Sequence, residues 1–385
     1  MPSKPITIFE HGTLYENRGE PQLKEGQLKA LQLFNPNNKL PYYSLVHNGV
    51  RFCEYVGVIQ VGKTIIEVLP KADKGESDDK EKTKWRDILI SMLKVSGDFE
   101  VRDTSTSTLK IKPNSILDLY FEKFINEVEY LYHNGLIKKY RKTEGNKTAL
   151  KGRLIFSKDI QKNLVHKERF YVNHTVYDYE HLLHVILYKA LKILNKININ
   201  ATLASRIGAL LLLFPEMPDR RITLKDFERI VINRKTIVYI NALGIAKLIL
   251  LNYHPDIKHG TNDVLALMFD MNKLWEKFVY MSLRKKLINY SVKAQNTKDF
   301  WQTGSGDRTT IRADIFIKNK ENTVVLDTKW RNLYGKNPSS SDLQQLFVYH
   351  KFYKAMKTAL VYPGTPNIVK GIYKKLDNVF FSPEN

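Results

Sequence analysis

Two apolar, alternating segments lie close together in the last third of the chain: Arg312-Ala313-Asp314-Ile315-Phe316-Ile317 and Val324-Val325-Leu326-Asp327-Thr328-Lys329. Their alternation and β-branched residues predict two strands, and the polar stretch between them predicts a turn. Residues two apart in a strand face the same side. We therefore expect Asp327 and Lys329 to point the same way, with Asp314 nearby on the paired strand.

This arrangement favours metal-dependent phosphodiester chemistry. Two carboxylates and an ammonium group that converge near a core are costly unless something binds them. Mg²⁺ prefers one or two carboxylates and takes water and phosphate oxygens as its other ligands. Bound Mg²⁺ acidifies water and neutralises charge on a phosphate. We predict that Asp314 and Asp327 bind Mg²⁺, and that Lys329 orients or activates the attacking water and stabilises developing charge.

Two flanking helices carry further candidates. Glu276, on the helix that precedes the strands, could reach the metal directly or through water, although a glutamate beside a lysine is commonly just a solvated surface residue. Gln345 and Tyr349 are spaced i, i+4 and share one face of the helix that follows. That face could position the scissile phosphate, with Gln344 as the alternative to Gln345.

The order of these elements resembles the PD-(D/E)xK nuclease superfamily. Within it the chain resembles the McrC family, the nuclease subunits of McrBC modified-cytosine restriction systems. The residues that carry the resemblance are Arg312-Ala313-Asp314-Ile315, Val325-Leu326-Asp327-Thr328-Lys329, Asp342-Leu343-Gln344-Gln345-Leu346 and, upstream, Lys151-Gly152-Arg153-Leu154-Ile155-Phe156. It covers roughly residues 115 to 365 and implies that Asp314, Asp327 and Lys329 are the catalytic set.

The resemblance also implies a division of labour. A separate McrB-like AAA+ GTPase hexamer recognises methylated cytosine and translocates DNA, while the nuclease subunit docks on the hexamer, stimulates GTP hydrolysis and cuts. The N-terminal region departs most from the family pattern, so the resemblance identifies no partner-contacting residues. We also infer no base-reading pocket in this chain.

The charge balance points to a polyanionic partner. The chain has 385 residues with 61 Lys and Arg against 40 Asp and Glu, a formal net charge of +21. Such an excess favours nucleic acid, with a membrane surface as the second option. The sequence has no apolar run of about 18 residues that would span a bilayer. Its single cysteine, Cys53, excludes internal disulfides and cysteine-rich zinc sites, and with no apolar signal segment we expect a cytoplasmic protein.

Several basic residues are candidates for DNA contact. Lys138-Lys139-Tyr140-Arg141-Lys142 is the densest basic cluster, and its mixture of charge with an aromatic residue suits contact with a DNA backbone. The pattern predicts a polar loop over 141–148. Arg153 and Arg331 could also contact phosphates. A solvated basic surface is the alternative for each of these positions.

We predict an α+β multidomain protein. Residues 1–110 form a β-rich, partner-binding domain, residues 111–254 a mainly helical domain, and residues 255–385 a PD-(D/E)xK-type α/β domain with a mixed sheet. Ser115 is the expected N-cap of the first middle helix. The apolar stretch 264–290 is expected to be one long helix or a broken pair.

One segment matches a nucleotide-binding motif in sequence but not in its predicted structural context. Residues 57–64 match the phosphate-loop pattern G-x-x-x-x-G-K-[ST] literally. A phosphate loop must open a helix, yet Thr64 is followed by an alternating, β-branched stretch that ends at Pro70. We therefore predict strand, turn and strand here, and no nucleotide site.

Three alternative functions stay open at this point. The chain could be a stand-alone nuclease of the same fold in repair or recombination, or a non-catalytic basic adaptor that binds DNA. It could also be an NTPase, which binding of a nucleotide to the isolated chain would reveal.

Overall fold

The protein is described here from a computed structural model, which covers residues 5–24, 26–35, 39–72, 79–96, 115–255, 263–304, 306–319, 322–364 and 368–373. The chain divides into two compact units. The first comprises Met1–Lys71 and Glu76–Ser282, and the second comprises Ala72–Gly75 and Leu283–Asn385.

The first unit contains three sheets and most of the helices. Its strands are β1 (Ile6–Phe9), β2 (Thr13–Tyr15), β3 (Tyr43–Val46), β4 (Gly49–Phe52), β5 (Tyr55–Val61), β6 (Thr64–Leu69), β7 (Lys139–Lys147), β8 (Arg153–Leu154), β9 (Phe170–Asp178), β10 (Tyr253–His254) and β11 (Val264–Asp270). Its helices are α1 (Gln27–Phe34), α2 (Asp79–Val95), α3 (Ile116–His133), α4 (Phe156–Asn163), α5 (Leu182–Ile197), α6 (Ala201–Leu213), α7 (Leu224–Glu228), α8 (Ile240–Asn252) and α9 (Met271–Lys286), which crosses into the second unit.

The central sheet of the first unit has the strand order β1-β6-β5-β11-β10, with β1 and β6 parallel and the other pairs antiparallel. β5 and β6 form a hairpin in which Val61 pairs with Thr64 across a Gly62-Lys63 turn. The predicted strand, turn and strand over residues 57–64 is therefore confirmed. Gly57 has φ +136° and lies so close to Leu267 that a Cβ would be 2.1 Å from its carbonyl oxygen.

The expectation of a helix from residue 264 was wrong for its first part. Val264–Asp270 is strand β11, which pairs with β5, and the helix begins only at Met271. A short, continuously apolar run cannot be assigned by periodicity, because a buried strand and a buried helix look alike. The boundary expected after residue 254 consequently falls inside the central sheet, between β10 and β11. The three-domain division itself stays a prediction.

A second correction concerns the basic cluster. Residues 139–147 form strand β7, which pairs with β9 from Lys139–Asp178 to Lys147–Phe170. The sequence predicted a polar loop over 141–148, most of which therefore lies in this strand. Its residues are polar on both faces and exposed on one, so no hydrophobic alternation marked it as a strand. The pairing with β9, rather than local composition, determines its conformation.

The helices of the middle segment pack on one another, with α5 against α6 and α8 and α3 against α6 and α8. Ser115 caps α3 as predicted, since its Oγ accepts a hydrogen bond of 3.1 Å from the backbone N–H of Asp118. No helix in the described ranges is long and apolar enough to cross a membrane.

Among the described residues, the second unit is built on one mixed sheet, one complete helix and the end of α9. Its elements are β12 (Ser291–Gln302), β13 (Arg308–Lys318), β14 (Thr323–Thr328), α10 (Ser340–Phe352) and β15 (Lys357–Val361). The strand order is β12-β13-β14-β15, with the first two pairs antiparallel and the last parallel. α10 packs on β14 and β15 over a small core that includes Ala313, Val325 and Tyr349. Together with the first unit, this confirms the α+β class.

A buried carboxylate links three elements of the first unit. Glu67 on β6 has a fully buried side chain, and its Oε2 accepts a hydrogen bond from the guanidinium of Arg86 on α2 in an ion pair. Its Oε1 accepts a hydrogen bond of 2.7 Å from the backbone N–H of Ile116, the first residue of α3. Glu67 thus satisfies one of the amides that a helix N-terminus leaves without a partner.

We expect Glu67→Ala to destabilise the protein by about 3 kcal/mol or more, because it leaves a partly buried guanidinium and a helix amide without their acceptor. Glu144→Ala, which removes the partner of Lys158 in a much more exposed pair, should have a far smaller effect on stability, because solvent screens exposed ion pairs. Urea unfolding of both variants measures the difference. Equal losses would show that Glu67 has no special role.

Candidate active site on the second unit

The candidate site lies where two strands part. β13 and β14 pair from Lys318–Thr323 up to Ile315–Leu326, and their pairing stops there. β14 continues alongside β15, with Asp327 opposite Leu360. Asp314 and Asp327 occupy the next position on the two diverging strands. We call this divergence the strand fork. It brings the two predicted metal ligands together.

Asp314 holds the fork in a fixed geometry. Its Oδ2 accepts a hydrogen bond of 2.7 Å from the backbone N–H of Thr328 and another of 2.9 Å from the Thr328 hydroxyl. A carboxylate that accepts a backbone amide from the neighbouring strand replaces the ladder bond lost at the fork. Strand separation and carboxylate orientation are therefore fixed by the same contact.

Asp327 is a buried, under-coordinated carboxylate. The residue is 1% exposed, and its Oδ2 lies 2.9 Å from Lys329 Nζ, with no other donor among the described residues. Burial raises the pKa of Asp327, Lys329 lowers it, and the negative charges of Asp314 and Asp342 raise it further, for a net increase. The surroundings of Asp327 therefore destabilise its ionised form relative to that of a free aspartate.

Lys329 is surrounded by acceptors. Besides Asp327 it lies 3.3 Å from Gln345 Oε1 and 4.0 Å from Asp342 Oδ1, and its side chain is 28% exposed. Burial acts against its charge, but the hydrogen bond to Asp327 and the surrounding carboxylates raise the pKa of Lys329 overall. Lys329 is therefore an ammonium ion at neutral pH, held among oxygen acceptors.

A hydrogen-bond relay connects Lys329 to the strand of Asp314. Gln345 accepts from Lys329 and donates to Tyr349 Oη at 2.7 Å, and Tyr349 Oη donates to the carbonyl of Arg312 at 2.7 Å. Burial raises the pKa of Tyr349 to about 12, which keeps the phenol protonated as a donor. The structure thus places Gln345 beside Lys329, whereas Gln344 is exposed.

Two residues of this region were not predicted as site residues from the sequence. Asp342 is buried at the start of α10. Its Oδ2 accepts a hydrogen bond of 2.7 Å from Ser339 Oγ and another from the guanidinium of Arg331. Although burial raises the pKa of Asp342, the bond from Ser339 and the charges of Arg331 and Lys329 lower it overall. Asp342 is therefore a carboxylate between two cations. The S-x-x-D spacing of a helix cap was its available sequence signal.

Gln295 is the second residue near the fork that the sequence did not predict. It has φ +49° and sits between the cross-strand pairs Ala294–Ile315 and Asn296–Ala313, which places it opposite Asp314. Positive φ is uncommon for a residue other than glycine and costs on the order of 1 kcal/mol. The strand of Asp314 is therefore irregular on both sides, and no sequence signal predicted this.

The remaining predicted residues are distributed over both units. Glu276 lies on the part of α9 that belongs to the first unit. Lys138, Lys139, Arg141 and Arg153 also lie in the first unit, on or beside the sheet of β7, β8 and β9. Arg141 is paired with Asp178 and Glu180 at 3.0 and 2.7 Å. Of the basic candidates, Arg331 alone is in the second unit, next to Asp342.

The donor set fits Mg²⁺. The described residues contain no group of three or more His, Cys, Asp or Glu side chains that could hold a metal by themselves. Mg²⁺ does not require such a group, because it commonly takes one or two carboxylates and fills its octahedron with water and phosphate oxygens. Asp314 and the under-coordinated Oδ2 of Asp327 supply two hard oxygen donors of this kind.

Comparison with solved structures supports the fold. A chain of the half-complex from the tetradecameric assembly of Thermococcus gammatolerans McrB AAA+ hexamers with bound McrC is 20% identical, with a TM-score of 0.66 over 92% of this chain and 86% of that chain. A chain of the Thermococcus gammatolerans McrBC complex is 19% identical, with a TM-score of 0.53 over 74% of this chain and 88% of that one. No curated protein matches the sequence significantly.

The sequence profile of one protein family matches most of the chain. It describes the McrBC 5-methylcytosine restriction system component and aligns with residues 50–363 of the 385. This range includes the fork, the relay and most of the first unit. The chain therefore belongs to the family of McrBC 5-methylcytosine restriction system components.

Proposed function

We propose that this protein is the Mg²⁺-dependent DNA endonuclease subunit of a GTP-driven restriction complex directed at modified cytosine, with a PD-(D/E)xK-type catalytic domain. One observation carries the proposal: a buried carboxylate with a raised pKa, Asp327, faces Asp314 at a strand fork, next to the ammonium of Lys329. An arrangement that destabilises its own charge is typical of a functional site.

Each residue has a role that follows from its contacts. Asp314 and Asp327 would hold Mg²⁺, which when bound supplies an acidified water and charge neutralisation at the phosphate. Lys329, as an ammonium ion, stabilises the charge that develops on the phosphate oxygens and orients the attacking water. Gln345 and Tyr349 keep Lys329 in place through the relay to Arg312. Glu276 remains a proposed additional acid.

The partner in this proposal is a McrB-like AAA+ GTPase hexamer. The solved structure with the TM-score of 0.66 contains McrB AAA+ hexamers with bound McrC, and this chain covers 86% of the matching chain. The net charge of +21 suits DNA as the other partner. We infer that the chain docks on the hexamer, stimulates GTP hydrolysis and cleaves DNA that carries methylated cytosine.

An exposed apolar stripe in the first unit supports docking on a protein. Phe156, Ile160 and Leu164 follow each other at intervals of four along α4 and its end, and with Val165 they are 62–83% exposed. Contiguous apolar surface of this kind marks interaction sites.

The direct test uses methylated and unmethylated plasmid, Mg²⁺ and the full chain, with and without the candidate GTPase and GTP. We expect cleavage only when methylated DNA, partner and GTP are all present, because the partner performs recognition and translocation. Gel analysis of linear product measures it. Cleavage by the chain alone, regardless of methylation, would instead identify an autonomous nuclease, and no cleavage in any combination would favour the non-catalytic adaptor.

Asp327→Asn is expected to reduce cleavage at least about a thousandfold, since a bound metal contributes several kcal/mol to the transition state. Without metal, at about pH 8, the same variant should melt at a higher temperature than the wild-type protein. Folding raises the pKa of this carboxyl, so the folded protein becomes less stable as pH rises through that pKa and the carboxyl ionises. Asparagine has no proton to lose and avoids this loss. The gain should vanish below about pH 4, where aspartate is also neutral in the unfolded chain.

Mg²⁺ provides the internal control for this variant. Added Mg²⁺ should raise the melting temperature of the wild-type protein, because binding to the folded state alone stabilises it, but leave that of Asp327→Asn unchanged. A variant that cuts normally, or that melts below the wild type at pH 8, would contradict the role of Asp327.

The relay makes a prediction about adjacent glutamines. Gln345→Ala should lower the cleavage rate roughly ten- to a hundredfold, because a displaced ammonium stabilises the transition state less well. Gln344→Ala, one residue away on the exposed side of α10, should stay within about twofold of the wild type. Initial rates of plasmid cleavage distinguish them, and equal rates would remove Gln345 from the site.

A further inference from the structure

A two-stranded ribbon extends from the sheet of the second unit beyond the fork. β12 and β13 pair along their length, from Ser291–Lys318 to Gln302–Arg308. β14 covers only residues 315–318 of β13. Beyond the fork, residues 296–302 and 308–313 therefore pair only with each other among the described strands. We call these residues the ribbon.

The base of the ribbon is fixed to the end of α10. Tyr353 Oη donates to the carbonyl of Asn296 on β12 and accepts from the backbone N–H of Ala313 on β13 at 3.3 Å, and the carbonyl of Ile311 lies 3.2 Å away. Phe300 packs on Phe352 with ring centroids 4.7 Å apart. These contacts hold the ribbon in one direction relative to Asp314, which lies next to it on the same strand.

The outer part of the ribbon exposes an aromatic side chain. Trp301 is 59% exposed and follows a bulge between Asp299 and Trp301, a feature that increases strand twist and redirects side chains. Tryptophan is rarely left in water at this level without a partner, because burying it contributes substantially to binding. Its neighbour across the ribbon is Thr309.

The ribbon also carries groups that suit a DNA backbone. Arg312 and Arg308 are exposed on β13, with Arg308 paired to Asp299 at 2.9 Å. Exposed threonines at 297, 309 and 310 offer hydroxyl donors of the type that contact phosphates. The net charge of the ribbon is only slightly positive, so apolar contact by Trp301 should contribute more than charge.

The dimensions match a duplex. A two-stranded ribbon fits the major groove of B-DNA, which is about 12 Å wide. Arg308 lies six residue positions before Asp314, and at about 3.4 Å per residue the ribbon spans roughly 20 Å. With about 3.4 Å between successive base pairs, this reach corresponds to roughly six base pairs on one side of the cleavage position.

We propose that the ribbon formed by residues 296–302 and 308–313 is a DNA-binding arm that lies in a groove of the duplex beside the cleaved phosphate, with Trp301 as its main contact. This inference rests on the proposed nuclease function for the choice of duplex DNA as partner. It assigns to the second unit a DNA contact separate from its carboxylates.

Binding of a labelled 30-base-pair duplex to the full chain, in buffer without divalent metal, tests the arm. Trp301→Ala should weaken binding roughly tenfold or more, as expected for loss of a large aromatic contact. The slope of log affinity against log salt should stay unchanged, because no phosphate contact is lost. Arg312→Ala should instead reduce that slope by about one. Trp301→Phe should retain most of the affinity.

Phe347→Ala is the matched control, since Phe347 is an aromatic residue of the same unit, 43% exposed on α10 and outside the ribbon. It should bind within about twofold of the wild type. Trp301→Ala binding as well as this control would overturn the proposal. So would loss of GTPase stimulation by Trp301→Ala with unchanged DNA affinity, which would assign the ribbon to the partner protein.

The arm and the nuclease function can fail separately. If the wild type binds duplex through Trp301 but never cuts, the endonuclease proposal fails and the arm stands. If the wild type cuts and Trp301→Ala binds and cuts normally, the endonuclease stands and the arm is overturned. The melting temperature of Trp301→Ala should match the wild type, because so exposed a side chain contributes little to folding.

Discussion

The candidate site depends on one constraint, the divergence of β13 from β14 at Asp314 and Asp327. Where the ladder ends, the amide and hydroxyl of Thr328 fix the position of the Asp314 carboxylate. Asp327 is buried on β14, where it pairs with β15, and burial raises its pKa. The end of strand pairing thus coincides with the one buried carboxylate of the fork.

The helix that follows completes the site by connecting to both sides of the fork. Gln345 contacts Lys329 after β14, and Tyr349 reaches the carbonyl of Arg312 on β13. Tyr353, one turn later, holds the base of the ribbon on the same strand. Spacing of four residues along α10 thus positions the ammonium, the first carboxylate strand and the DNA-binding arm together. Asp342 adds a fixed negative charge between Lys329 and Arg331.

The first unit shows the contrasting use of a buried carboxylate. Glu67 is fully enclosed, as Asp327 is, but its two oxygens are satisfied by Arg86 and by the first amide of α3. A carboxylate with its acceptors filled holds elements together, whereas one left under-coordinated is available for a cation. The first unit also carries the exposed apolar stripe on α4, which we propose as a surface for a protein partner.

The sequence by itself determined the strands around Asp314 and Asp327, the position of Lys329 two residues on, the Ser115 cap and the hairpin at residues 57–64, because each follows from short-range periodicity or chain geometry. Only the tertiary structure decided that residues 264–270 and 139–147 are strands, since their conformation comes from partners far along the chain. It also distinguished Gln345 from Gln344, identified Asp342, and placed Gln295 opposite Asp314. Those features depend on how strands part and where a helix packs, and no local pattern encodes such distances.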